Sequence, residues 1–371
     1  MTSSQQRARN VVACFEVLRD LGSATASDIA KATGLSRPTS QTILRELVEK
    51  GLATEGEEKP LAGPGRPGAR YRFEPRSKVA CFDITDLSVR VGIADLTGAY
   101  RLYERHEFSS GVQTREALAE TVEDFLKTSP HAEDLISIVV STPGVVDPAG
   151  SFLRVNAFPE FNGYGVRDVL PLPDCEVVLE NTVNMATLAE ARMGVAQGYD
   201  NVVLAHMSGG IKAGLLLGGR LHRGTTFAAG ESSYLSLPGV FARASVMSRL
   251  NELLDSTIDG ATRSRTLEEI AATVAPLLAL TVATVDPALV VLTGPDARAG
   301  HELLQPLQVE LSQLFTSASP PPLTLTELGS DGPMFGGLIA AIENATSALL
   351  SGYIPPAPPL RKLTKDWEKY A

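Results

Sequence analysis

The chain has 371 residues, 44% of them hydrophobic and 20% charged, and a formal net charge of −10. That length suits two or three domains, and that composition excludes pervasive disorder. Cys14, Cys81 and Cys175 lie scattered without C-x-x-C spacing, which excludes a zinc knuckle and a disulfide framework and reads as three small core residues.

Met1 to Asn10 is polar and lacks the apolar stretch of a secretory signal. Val11, Phe15 and Leu18 then recur at helical spacing and predict a first helix. Thr25 caps a second short helix with Asp28 three residues on, Ile29 and Ala30 face inward, and Gly34 supplies a left-handed stop. Ser36 caps a third helix whose buried stripe is Ile43, Leu44, Leu47 and Val48, ending at Gly51. Three helices with a tight turn around Gly34 and Leu35 give a helix-turn-helix layout.

Turning the third helix by about 100° per residue sends Arg37, Pro38, Gln41, Thr42 and Arg45 outward and Ser40 inward. Arginine suits guanine and glutamine suits adenine in the major groove, because each side chain forms paired hydrogen bonds with a base edge. Arg37, Thr39, Gln41, Thr42 and Arg45 are therefore candidate DNA contacts; a merely solvated polar face is the alternative. Leu52 to Phe73 reads as a wing of two strands whose tip, Gly63 to Gly68, carries Arg66 on a narrow backbone suited to a minor groove. An interdomain linker rich in glycine and proline would look the same. Residues 1–76 hold 12 Lys+Arg and 9 Asp+Glu, a net +3 against −13 for the remainder, so a mildly basic head precedes an acidic body.

After Lys78 apolar strands punctuated by glycine alternate with helices, which predicts an α/β fold. Expected strands are Val79 to Ile84, Val89 to Ala94, Ile136 to Val140, Val202 to Ala205, Ala213 to Leu217 and Leu289 to Leu292. Expected helices are Arg115 to Leu126, Val183 to Met193 and one after Gly332. The second strand pair echoes the first, as two related lobes would. The longest apolar run, Val274 to Val285, is interrupted by Pro276 and Thr281 and reads as too short to span a bilayer, so a soluble cytoplasmic protein without a membrane partner is expected.

Six segments, taken in order, resemble the ROK family of bacterial sugar kinases and repressors. They are Val140 to Asp147 (VSTPGVVD), Leu179 to Ala186 (LENTVNMA), Gly209 to Gly214 (GGIKAG), Gly219 to Gly224 (GRLHRG), Ala228 to Glu231 (AAGE) and Val290 to Gly294 (VVLTG). The resemblance implies a winged helix-turn-helix over 1–76, then a two-lobed actin-like, RNase H-like body. Its lobes would run over 77–188 and 189–352, the last helix packing back on the first lobe, with a tail over 353–371.

The departures from the resembled kinases concern chemistry. The kinases carry an aspartate after E-N as general base on the sugar hydroxyl; here Thr182 stands there, and a hydroxyl cannot accept that proton near neutral pH. Their D-x-G-G-T phosphate turn reads Asp83-Ile84-Thr85-Asp86, and their second glycine loop reads Ser208 to Gly214 with Lys212 in place of a glycine. The Gly-His after A-G-E and the cysteine cluster downstream are replaced by Ser232-Ser233-Tyr234 and a cysteine-free stretch. No metal, no cofactor and no catalytic residue are therefore expected. Asn181 and Glu231 keep the sugar-contacting identities; Asn156, Thr182 and Tyr234 complete the candidate ligand set, and Phe241 lies near a later glutamate position.

The expected function is a sequence-specific DNA-binding transcriptional regulator, a repressor. A palindromic double-stranded operator, a sugar or sugar-derivative effector and homodimeric or tetrameric assembly accompany it. One alternative is a body that has lost ligand binding and only oligomerises; another is a residual sugar kinase with a DNA module.

Overall fold

The computed structural model describes residues 3–57, 69–85, 88–102, 106–107, 114–207, 211–232, 258–294, 300–316, 319–350 and 359–362. The head is built from local signals. Helix α1 (Ser3–Leu21) buries Val11, Phe15 and Leu18. Strand β1 (Ser23–Thr25) leads into α2 (Ala26–Thr33), where Thr25 accepts from the Asp28 amide at 3.2 Å while its own amide donates to Asp28 Oδ2 at 2.9 Å. This reciprocal box satisfies two of the amides that a helix start leaves open. Gly34 ends α2 at φ 73°, a conformation that costs glycine little. Ser36 caps α3 (Arg37–Glu49), whose Ile43, Leu44 and Leu47 are buried. Strands β2 (Ala53–Glu57) and β3 (Ala69–Phe73) form the wing, with β3 between β1 and β2 in an antiparallel sheet. The Phe15 and Phe73 rings meet edge to face, 5.6 Å apart, and fasten the wing to α1.

In the first lobe β4 (Lys78–Ile84), β5 (Ser88–Asp95) and β6 (Ala99–Leu102) form an antiparallel meander, with β7 (His106–Glu107) beside β5. Helix α4 (Arg115–Thr128) returns the chain to β8 (Leu135–Thr142), parallel to β4. A small flap of β9 (Val145–Val146) and β10 (Phe152–Arg154) follows, then the short α5 (Val166–Val169) and β11 (Glu176–Asn181), parallel to β8. Helix α6 (Thr182–Met193) crosses to the second lobe. There β12 (Val202–Met207), β13 (Ile211–Leu217) and β14 (Arg220–Leu221) repeat the meander. Helix α7 (Gly260–Val285), β15 (Leu289–Thr293), α8 (His301–Leu314) and β16 (Leu323–Leu325) add two parallel strands. Helix α9 (Gly332–Leu349) returns to the first lobe, and β17 (Arg361–Lys362) pairs with β6. Three antiparallel strands followed by two parallel ones occur in both sheets, so the echo seen in the sequence is a topological repeat.

Two expectations need correction. Helix α7 runs through Pro276 and, at 26 residues, is long and apolar enough by composition to cross a bilayer. Leu267, Ile270, Val274 and Leu278 of this helix are buried in one apolar cluster with Val203 and Val290 of the second sheet. Cys14 and Cys81 are core residues as expected, but Cys175 is only partly buried.

Helix α9 lies between α6 and the first sheet at very short range. A Cβ on Gly336 would stand 1.8 Å from the Met185 carbonyl oxygen, and one on Gly337 would stand 2.2 Å from Cys81 Sγ. Neither site admits a side chain, so the backbone of α9 is keyed into both neighbours. One apolar cluster joins Phe15, Leu44, Leu47 and Tyr71 of the head with Cys81, Met185, Leu338 and Ile342 of the body.

Candidate DNA-reading face and interlobe cleft

Arg37, Pro38, Thr39, Thr42 and Arg45 are exposed on α3, Gln41 is half-buried, and Ser40 is fully buried with its hydroxyl donating to the Ser36 carbonyl at 3.1 Å. The Thr39 and Ser36 hydroxyls lie 2.7 Å apart, and the Thr42 hydroxyl donates to the Pro38 carbonyl at 3.0 Å. These local bonds tie down the threonines and leave the two arginines as the long side chains of the face. The wing approaches Arg45 in a way the sequence reading lacks. Buried Tyr71 of β3 donates to Glu55 Oε1 of β2 at 3.1 Å, near enough to Arg45 for its charge to act on the phenol. Burial and then Glu55 hold the Tyr71 pKa above its ordinary value, with Arg45 opposing. Beside this face, Gln6, Arg7 and Asn10 of α1 and Pro38, Thr39 and Thr42 of α3 line a groove of about 520 Å³, and Arg7 pairs with Glu46 at 2.8 Å. Arg66 lies outside the described residues.

The cleft forms at the carboxyl ends of β4, β8 and β11. Asp83 is in register with Ser141, and Ser141 with Glu180, so the three side chains stand in one row, all buried. Ser141 Oγ reaches Asp83 Oδ1 at 3.0 Å and Thr182 Oγ1 at 3.4 Å. Each flanking carboxylate is met by an arginine. Arg90, directly opposite Asp83 on β5, donates to Asp83 Oδ2 from Nε at 3.2 Å and Nη2 at 2.6 Å, and from Nη1 to Asp331 Oδ1 at 2.7 Å. Burial opposes the charge on Arg90, but Asp83 and Asp331 outweigh it and hold the guanidinium above its ordinary range. Arg223 donates to Glu180 from the loop after β14. The sequence reading misses both arginines. Arg90 is recoverable by counting the β4–β5 hairpin register, and Arg223 stands inside the G-R-L-H-R-G segment.

Asn181 joins the lobes. Its Oδ1 accepts from the Val183 and Asn184 amides at 2.7 and 3.2 Å, capping α6, while Nδ2 donates to the Gly144 carbonyl at 2.6 Å and to Glu231 Oε1 at 3.0 Å. Two donated and two accepted bonds fill the capacity of a primary amide. Of the candidate ligand residues the fold therefore brings together Asn181, Glu231 and Thr182. Exposed Asn156 makes no hydrogen bond to Asn181 or Glu231 among the described residues. It follows the Val155 segment packed against Gly144, where a Cβ would stand 2.9 Å from Val155 Cα. Tyr234, Phe241, Asp86 and Ser208 to Gly210 lie outside the described residues. In the second lobe His206 faces Lys212 across β12 and β13, and burial with the Lys212 charge pushes its pKa down to about 4.

Residues 79–239 match the family model described as ROK family. That segment, 79–239, resembles a ROK family domain. Residues 12–75 match the model of the sugar-specific transcriptional regulator TrmB, which covers the head. A beta-glucoside kinase of Listeria monocytogenes is 32% identical over 44% of this chain and 55% of its own length. The DNA-binding transcriptional repressor Mlc of Escherichia coli is 22% identical over 60% of this chain and 56% of its own length. The chain thus spans little more than half the length of these curated relatives. The crystal structure of a ROK family transcriptional regulator, a homologue of the E. coli Mlc protein, superposes with a TM-score of 0.68, at 18% identity, over 93% of this chain and 97% of that one. That likeness extends the shared fold from the ROK body through the winged head.

At the turn where the resembled kinases hold phosphate, Thr85 and Ser88 are bonded to each other. The Thr85 amide donates to the Ser88 carbonyl at 2.8 Å, the Ser88 amide to Thr85 Oγ1 at 3.1 Å, and the two hydroxyls lie 3.0 Å apart. Thr85 and Ser88 thus spend their amides on each other, and Asp83 is engaged by Arg90. No group of three or more His, Cys, Asp or Glu able to hold a metal occurs among the described residues.

Proposed function

We propose that the chain is a sequence-specific DNA-binding transcriptional regulator, a repressor, whose ROK body binds a sugar or sugar derivative without phosphorylating it. The observation that carries the reading is the pairing of an exposed recognition helix with a cleft whose Asp83 is neutralised by Arg90 and whose base position holds Thr182. The names of the relatives support both halves: Mlc is a DNA-binding repressor, and the head matches a sugar-specific regulator. Asn156, Asn181, Thr182, Glu231 and Tyr234 form the ligand set, and Asn181 gives up its bond to Glu231 when a hydroxylated ligand enters. Arg37, Thr39, Gln41, Thr42, Arg45 and Arg66 touch DNA. The reading divides the chain at 76, 188 and 352, places it in the cytoplasm without a membrane or cofactor, and has two copies on a palindromic operator.

The test has two arms: selection of double-stranded DNA from a random pool by the full chain, and an ATP-turnover assay with hexoses. Recovery of a palindrome together with no sugar-dependent turnover supports the reading. The 32% identity to a beta-glucoside kinase favours a second one, a residual sugar kinase, and turnover in step with added sugar would establish it.

A further inference from the structure

Helix α9 touches the cleft at one end and the DNA-reading head at the other. At its start, Arg90 donates to Asp331 Oδ1 at 2.7 Å and to the Ser330 carbonyl, and the same guanidinium holds Asp83. At its end, Lys50, the residue that closes α3, donates from Nζ to the Leu349 carbonyl at 2.5 Å. Lys50 also lies 4.0 Å from Glu46, one turn back on α3. Eighteen helical residues separate these ends, about 27 Å at the usual rise. Between them the glycine notches at Gly336 and Gly337 key α9 to α6 and β4, and Arg192 of α6 holds Glu343 at 3.1 Å. Helix α6 in turn rests on the second lobe, where a Cβ on Gly214 would stand 3.0 Å from the Val183 carbonyl.

We infer that α9 is the strut that couples the interlobe cleft to the recognition helix, with Arg90–Asp331 as its lower joint and Lys50–Leu349 as its upper one. The inference rests on the regulator reading and supplies its route. A change in lobe arrangement moves α6, and α9 moves with it because close-packed backbones shift as bodies rather than deform. The last turn of α3 follows, because its terminal residue is bonded to the last turn of α9. The bond favours the interaction from both sides, since a lysine ammonium complements the carbonyl end of a helix dipole. The effector acts by favouring one arrangement, and the reading face is presented differently in each.

The test measures amide hydrogen exchange in the full chain, without DNA or effector, for wild type, Asp331→Asn, Lys50→Met and the double variant. Asp331 is nearly half exposed, so its amide replacement removes the charge and weakens the joint without burying a bare charge, while the Arg90 bond to the Ser330 carbonyl stays. Asp331→Asn is expected to speed exchange over residues 46–52 measurably, by up to about fivefold, the ceiling an exposed ion pair sets, as Lys50→Met does, and the double variant is expected to exceed neither by much. Exchange over 46–52 unchanged in Asp331→Asn while Lys50→Met raises it would overturn the strut, as would effects that add in full. Because no DNA is present, failure here is distinct from failure of the regulator reading, which the selection experiment addresses. Fluorescence anisotropy on any selected operator then reads the same cycle as affinity, where Asp331→Asn is expected to change binding by up to about fivefold and to lose that effect on the Lys50→Met background.

Discussion

Replacing Arg90 with methionine isolates the energetics of the cleft. The substitution removes both guanidinium bonds to Asp83, at 3.2 and 2.6 Å, and leaves a carboxylate 1% exposed whose one remaining side-chain partner among the described residues is the Ser141 hydroxyl at 3.0 Å. Breaking one side of a buried ion pair costs about 3–5 kcal/mol, because the remaining charge has neither water nor a counter-charge. The Arg90–Asp331 contact adds little, since Asp331 is 46% exposed and an open ion pair is worth about 0–1 kcal/mol. Removing both charges with Asp83→Val and Arg90→Met is therefore expected to return stability to within about 1–2 kcal/mol of the parent, because well-packed apolar groups replace a buried pair at little net cost. Ser141 keeps Thr182 Oγ1 as an acceptor in that double variant. Urea unfolding of the full chain, followed by far-ultraviolet circular dichroism, measures all three. A single variant within 1 kcal/mol of the parent, or a double variant as unstable as the single one, would refute the account of Arg90 as the obligatory partner of Asp83.

Arg45→Ala is expected to weaken binding to a selected operator by about 1–3 kcal/mol and to relax preference at one base pair, read by anisotropy across a panel of single-base variants. Thr182→Asp alone is expected to give no sugar-dependent ATP turnover in a coupled assay, because Arg90 still holds Asp83 and the Thr85–Ser88 turn stays closed on itself. Gly336→Ala forces a methyl into the Met185 carbonyl and is expected to cost about 1–3 kcal/mol or more, seen as a lower melting temperature. His206 has a folded pKa near 4, below its ordinary 6.5, so the unfolded chain binds the extra proton first. Its contribution is full above about pH 6.5 and is lost as pH falls towards 4, on the order of 3 kcal/mol at the limit. His206→Gln is expected to flatten the stability profile over that window in denaturation series at graded pH.

Local chemistry in this chain is legible and distant pairing is not. The Thr25–Asp28 box, the Gly34 stop and the inward Ser40 follow from neighbours within four residues, and the head is read almost residue by residue. The body's β4, β5, β8 and β12 show as apolar runs because they are buried on both faces. Strand β11 escapes notice because glutamates open and nearly close its short apolar run, and α8 because Pro306 sits inside it. In the cleft, Asn181, Thr182 and Glu231 are visible as motif letters, yet the saturation of the Asn181 amide depends on Gly144, 37 residues away, and Glu231, 50 away. Arg223 meets Glu180 across 43 residues, and Lys50 meets Leu349 across 299. No periodicity encodes such partners; only the folded path brings them together.

The shared apolar interior of head and first lobe bears on how such proteins can be taken apart and recombined. A module that rests on its own core can be cut out and grafted elsewhere; one that shares an interior leaves an oily scar on both pieces. Here exchange of the head for another would succeed only if the newcomer also offered a matching underside to Leu338 and Ile342, so inheritance of the two parts is linked by packing as well as by the peptide chain.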